Sequence, residues 1–241
     1  ISELQSRTEN QPPQSVAAHL VSLMVAYNNL SAQLLYQERY ADAIAEADSA
    51  LTQIEALLAN ATLDPSTGQQ LRYWQGYLLI NKATALMSLD QPVAAESALR
   101  AASDPFQQVD DALMLGRVQA NLGSLFARTG RYAEALRQFD IASQLLLGDG
   151  APPDAADLAR SELLLDQASN YLALNLLSEA GAALGRCEQL YRAASQPYEL
   201  AQCLLFHGLV RCRLEDFVGA QALLIEAFHE VANDNKSVDE M

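Results

Sequence analysis

Three asparagines, Asn29, Asn81 and Asn121, and the charged residues Arg117, Arg128, Glu162, Asp166 and Arg213 are the side chains of this sequence whose types and spacing could do chemistry. A carboxamide both donates and accepts, so a row of them can hold the N–H and C=O of an extended peptide whatever its side chains are. Asn costs about 0.5 kcal/mol relative to Ala inside a helix, so three at one phase need a reason. Arg117, Asn121, Ser124 and Arg128 recur at i, i+4, i+7 and i+11, opposite the apolar side made by Val118, Leu122 and Leu125. That stripe would favour an acidic residue on a bound peptide, and Glu162 with Asp166 a basic residue beside it. Arg213 is a charge of the same general kind.

Catalytic and metal chemistry find less support. Cys203 and His207 are i, i+4 neighbours, but Cys212 is off their face and structural zinc wants four ligands, so packed core residues are expected and no metal. His19 and His229 have no partner that sequence identifies. There is no Gly-rich phosphate loop after a strand and no nucleophile elbow, and the scattered Ser, Asp and His residues define no triad. The expectation is a protein that is not an enzyme and carries no cofactor.

Composition narrows the partners. Thirty acidic against fifteen basic side chains give a net charge of −15, which opposes a phosphate-neutralising nucleic-acid surface and docking on anionic membrane. Partners with basic or neutral surfaces, proteins or peptides, fit better. An apolar content of 50% with 19% charged residues belongs to a folded chain. Three cysteines without paired spacing point to a reducing, cytoplasmic setting rather than a disulfide framework. Residues 11–37 carry no charge, yet His19, Asn28, Asn29 and Gln33 interrupt them before the ~20 apolar residues of a bilayer span, so they are expected to form a buried helix. The start at Ile1 suggests a trimmed fragment.

The elements that must carry the asparagines follow from a repeat. In "NLGSLFARTGRYAEALRQFDIA", residues 121–142, Leu122, Leu125 and Phe126 precede Gly130 at helical spacing, and Leu136 and Phe139 follow it, with Gly123, Ala135 and Ala142 where two helices must approach. The frame returns as Tyr27, Ser31, Tyr40, Ala43, Ala47 and Ala50; as Ala83, Leu86, Ala95, Leu99 and Ala102; as Ala168, Tyr171, Ala180, Leu184 and Cys187; and as Gly208, Leu214, Phe217, Ala220, Leu224 and Ala227. Asn29, Asn81 and Asn121 each stand two residues before the small residue of the first helix; Asp166 and Phe206 take that place in the last two copies.

This pattern resembles the tetratricopeptide repeat over roughly residues 24–231. The resemblance implies an all-α, right-handed superhelix of five helix pairs, about 15–60, 69–103, 107–147, 155–195 and 197–231, whose first helices line a concave groove. The asparagines then resemble the ladder of peptide-binding arrays of this family. The turn-rich "ATLDPSTG" and "GDGAPPD" explain spacings longer than the family's, and "SDP" at 103–105 is expected to end a helix. Residues 1–14 form an extension and 232–241 an acidic tail.

Two functions follow from these readings. One is a protein- or peptide-binding scaffold; the other is a structural or regulatory segment of a larger protein, since the long Ala- and Leu-rich repeats resemble helical arrays of bacterial proteins bearing a CHAT protease or a signalling ATPase. The helix at 217–231 is apolar on more than one side, with Val218, Ile225 and Phe228 off its packing face. It is expected to meet a second copy of the chain or a neighbouring domain.

Overall fold

The computed structural model describes residues 13–59, 63–146 and 153–239, and nearly all of the expected N-terminal extension lies outside them. Ten helices and no strand are present among the described residues: α1 (Pro13–Tyr36), α2 (Tyr40–Leu58), α3 (Pro65–Ser88), α4 (Pro92–Gln108), α5 (Ala112–Arg128), α6 (Tyr132–Leu146), α7 (Pro153–Ala173), α8 (Leu177–Ala193), α9 (Pro197–Arg213) and α10 (Phe217–Asp239). They form two compact units, residues 1–118 and 119–241, and the division falls within α5.

Seven of the turns share one backbone device. A residue with positive φ, at Glu38, Asp90, Asp110, Gly130, Asn175, Ser195 or Glu215, ends the helix, and the next N–H reaches back five residues. Examples are Gln91 N–H to Leu86 O at 2.9 Å and Arg131 N–H to Phe126 O at 2.8 Å. This satisfies carbonyls that the helix end would otherwise leave unpaired and reverses the chain within three residues. Gly130 alone among the seven has no side chain to strain there.

Three helix ends depart from the expectation. "ATLDPSTG" does not wholly form a loop: the Asp64 carboxylate accepts from the N–H of Ser66 at 2.9 Å and of Thr67 at 3.3 Å, and Pro65 occupies the first turn, so α3 begins there. These hydrogen bonds, with those from the two hydroxyls, hold the Asp64 carboxyl below its ordinary pKa. Nor does "SDP" end α4. Pro105 sits buried in its last turn, where its missing N–H removes a single helix bond, and the helix runs on to Gln108. At the other end α10 continues past 231 to Asp239.

In the first unit, Leu23, Met24 and Tyr27 of α1, Ala47, Ala50, Leu51 and Ile54 of α2, and Leu71 and Leu78 of α3 form one buried cluster. Gln53 donates 2.8 Å to the Tyr27 hydroxyl at its edge. Phe106 of α4 lies over Gly76 so closely that a Cβ would overlap its ring, and Tyr73 and Tyr77 meet that ring edge-on. In the second unit the same economy puts the Phe139 ring of α6 on Gly123 of α5. Burying such a ring contributes roughly 1.5–3 kcal/mol, and the missing Cβ is what makes room for it. Ala168, Ala180, Leu184, Cys187, Tyr191, Cys203 and Leu204 continue the core through α7, α8 and α9.

The small residues of the frame are therefore buried, whereas three of its large residues at the last pair are not, Leu214 among them at 52% exposed. Phe217, expected to pack within its own pair, is 66% exposed, and Leu224 is only partly covered, its side chain 3.1 Å from where a Gly208 Cβ would stand.

Candidate functional site

Each unit carries polar side chains of its own on its first helices. In the first unit, Asn81 of α3 donates from its Nδ2 to Asn28 Oδ1 of α1 at 3.0 Å. The residue that meets Asn81 is thus Asn28, one position from the expected Asn29, which stands exposed. A helix advances about 100° per residue, so a shift of one position is enough to exchange the two. One turn before Asn81, Tyr77 shares a 3.1 Å hydroxyl contact with Tyr73. Burial, the Tyr73 hydrogen bond and the nearby Asp111 raise the Tyr77 pKa, against the opposing charge of Arg117, so this hydroxyl stays protonated and able to donate. Arg117 itself is exposed on α5.

In the second unit the centre of the stripe is a hydrogen bond across two helices: Ser124 of α5 donates 2.6 Å to Asp166 Oδ2 of α7. Ser124 also lies 3.1 Å from Ala120 O in its own helix. Desolvation raises the Asp166 pKa, the Ser124 hydrogen bond opposes this, and the Glu162 charge one turn away adds to the rise. Asn121 is half-buried one turn before Ser124 on the same helix, Arg128 is exposed at its end, and Glu162 is exposed on α7.

Arg213 serves differently from the expectation that set it with the groove charges. Its Nη1 donates 3.0 Å to Leu172 O near the C-terminus of α7, a carbonyl that also accepts from the Asn175 N–H at 3.1 Å, and the helix dipole there favours a cation. Asn170, one turn beyond Asp166, was not singled out by sequence. It is 1% exposed, and neither atom of its carboxamide has a hydrogen-bond partner. The signal was present, since Asn170 stands two residues after Ala168, where the third pair has the buried Leu125 after Gly123.

Cys187 and Cys203 are buried in the core and His207 packs at its edge, whereas Cys212 is only partly buried. Cys203 Sγ lies 3.5 Å from Leu184 O, Cys187 Sγ lies 3.3 Å from Ser161 O, and His207 Nδ1 pairs with the Glu188 carboxylate. The neighbouring Cys187 thiol and burial push the Cys203 thiol pKa up, which disfavours the nucleophilic thiolate. Among the described residues, no three His, Cys, Asp or Glu side chains gather as metal ligands would, and no helix is long and apolar enough to cross a membrane.

Solved structures share this arrangement. BtubC (BKLC) from P. vanneervenii superposes with a TM-score of 0.73 at 14% identity, over 97% of this chain and 87% of that one. A kinesin light chain of Podosopora anserina with nearly identical TPR-like repeats gives 0.62 at 14% identity, over 90% and 98%. The apo quorum sensor NprR from B. thuringiensis gives 0.57 at 16% identity, over 95% and 69%. No protein-family model and no curated protein matches the sequence. The fold is a tetratricopeptide-like helical repeat, an all-α solenoid type.

Proposed function

We propose that the chain is a non-enzymatic scaffold whose second unit holds an extended peptide along α5 and α7. The observation that carries this reading is the Ser124–Asp166 hydrogen bond with Glu162 beside it. Two exposed carboxylates one turn apart make this stretch of α7 acidic. An acidic stretch of this kind suits a Lys or Arg side chain of a peptide, and Asn121 supplies a carboxamide for the peptide backbone. Arg128 gives the same stretch a positive end that suits an acidic residue. In the first unit, Asn28 and Asn81 offer a second pair of carboxamides, with Asn29 and Arg117 at its margin. The likeness to a quorum sensor and to a kinesin light chain supports a binding role over a catalytic one. The free thiols fit a reducing, cytoplasmic setting, and a bacterial source fits the repeat composition.

A peptide array scanned with the purified chain, followed by titration of the best peptide into Asn121→Ala, tests the proposal. Loss of one hydrogen bond to the backbone is expected to weaken binding by on the order of 1 kcal/mol, about fivefold. Unchanged affinity removes Asn121 from the site, and an array without binders removes the peptide.

A further inference from the structure

We infer that the outer face of α10 is a self-association surface that pairs two copies of this chain about a two-fold axis. Phe217, Val218 and Phe228 are 66%, 82% and 71% exposed on this helix, and Leu224, Ile225 and Val231 are each more than a third exposed. Together these six present on the order of 700 Å² of apolar surface, close to the ~800 Å² that one partner contributes to a standard stable interface. Cys212, Phe217, Gln221, Leu224, Ile225 and Phe228 also line an open cleft of ≈ 360 Å³ on this face.

Comparison with the other second helices shows that this face is unlike an ordinary outer surface. Five residues after the small residues Ala43, Ala95, Ala135 and Ala180 stand Asp48, Arg100, Asp140 and Gly185, whereas Ile225 takes that position after Ala220. Eight residues after them the chain has Leu51, Ser103, Ser143 and Glu188; in α10 it has Phe228. Leu51 is buried in the cluster shared with α3, and Glu188 is engaged by His207 of the following helix. No described element does this for Phe228.

Charge selects a second copy as the occupant. The chain carries −15, so two copies approach most easily through a face without carboxylates. Between Phe217 and Val231 the carboxylates are Glu226 and Glu230, both partly buried and on the side of α10 away from Phe217, Gln221 and Phe228, with Glu226 paired with Arg192 at 2.7 Å, and His229 is exposed. A basic partner gains nothing on such a face. The pattern is also self-complementary. Phe217 and Phe228 stand about three turns apart, so an antiparallel copy with its axis near Ala222 and Leu223 sets each phenylalanine against the other.

Sedimentation equilibrium of the chain from ~1 to ~100 µM, with Phe228→Glu and Ile225→Lys alongside, tests this inference. The wild type is expected to dimerise, and each variant to raise the dimer Kd by at least about thirtyfold while its circular dichroism stays helical. The wild-type thiol supplies a second readout that needs no variant. Cys187 and Cys203 are buried and Cys212 lines the cleft, so the rate of Cys212 modification by a thiol reagent should fall as the chain is concentrated. A monomeric wild type at the upper concentration overturns the inference and leaves the face to a flanking segment or another protein. A dimer that survives both substitutions, or Cys212 reactivity independent of concentration, overturns the placement on α10.

Discussion

At the scale of single residues, contacts made possible by an absent or unusual side chain give the sharpest expectations. Gly123 lies under the Phe139 ring, so Gly123→Ala should destabilise the chain by about 1–3 kcal/mol in urea denaturation despite the better helix propensity of alanine. Asn170 is the opposite case. Its buried carboxamide has no partner, and Asn170→Leu should raise stability by about 1–3 kcal/mol in the same measurement. Asp166 predicts a dependence on pH. Its pKa is raised in the fold, so the folded chain holds this proton more tightly than the unfolded chain does. The stability this provides is complete below the unfolded carboxylate range and is lost as the pH climbs through the raised value. Asp166→Asn, which keeps an acceptor for Ser124, should therefore raise the Tm at pH 7 and leave it nearly unchanged at pH 3. An equal shift at both values would detach the effect from ionisation.

At the scale of elements, the seven turns with positive φ set the register of the helices, and Asp90, Asp110, Gly130 and Asn175 are of the residue types that adopt that conformation most readily, whereas Glu38, Ser195 and Glu215 are not. Glu38, Asp90, Asp110, Asn175, Ser195 and Glu215 carry the strain of that conformation, while Gly130 does not. Gly130→Ala should cost about 1 kcal/mol, whereas Asp90→Gly should cost nothing or stabilise by a few tenths, both read from thermal unfolding. The pairing of helices was legible in the sequence because small residues recur wherever two backbones must approach, and Ala43, Ala95, Ala135, Ala180 and Ala220 are all buried. Helix ends were less legible. Proline at 65 starts α3 through the Asp64 cap and proline at 105 rides inside α4, and the chemistry of one residue type does not tell those positions apart. The site was legible only in phase. Asn81 meets Asn28 rather than the neighbouring Asn29, because spacing gives a helix face without saying which neighbour reaches across. Arg213, read as a groove charge, is tied to the end of α7 through Leu172 O, a contact set by tertiary packing that no local pattern encodes.

At the scale of the whole molecule, the fold separates two kinds of surface. The first helices carry hydrogen-bonding groups in phase, and the last helix carries an apolar face without carboxylates. The chemistry of the two differs, so substitutions in one should leave the other intact. The most direct test of the binding account is calorimetric titration of the best array peptide into three proteins: the wild type, Asn121→Ala and Phe228→Glu. The account predicts about fivefold weaker binding for Asn121→Ala and an unchanged Kd for Phe228→Glu. Undiminished binding by Asn121→Ala together with loss of binding by Phe228→Glu would place the peptide on α10 and contradict it.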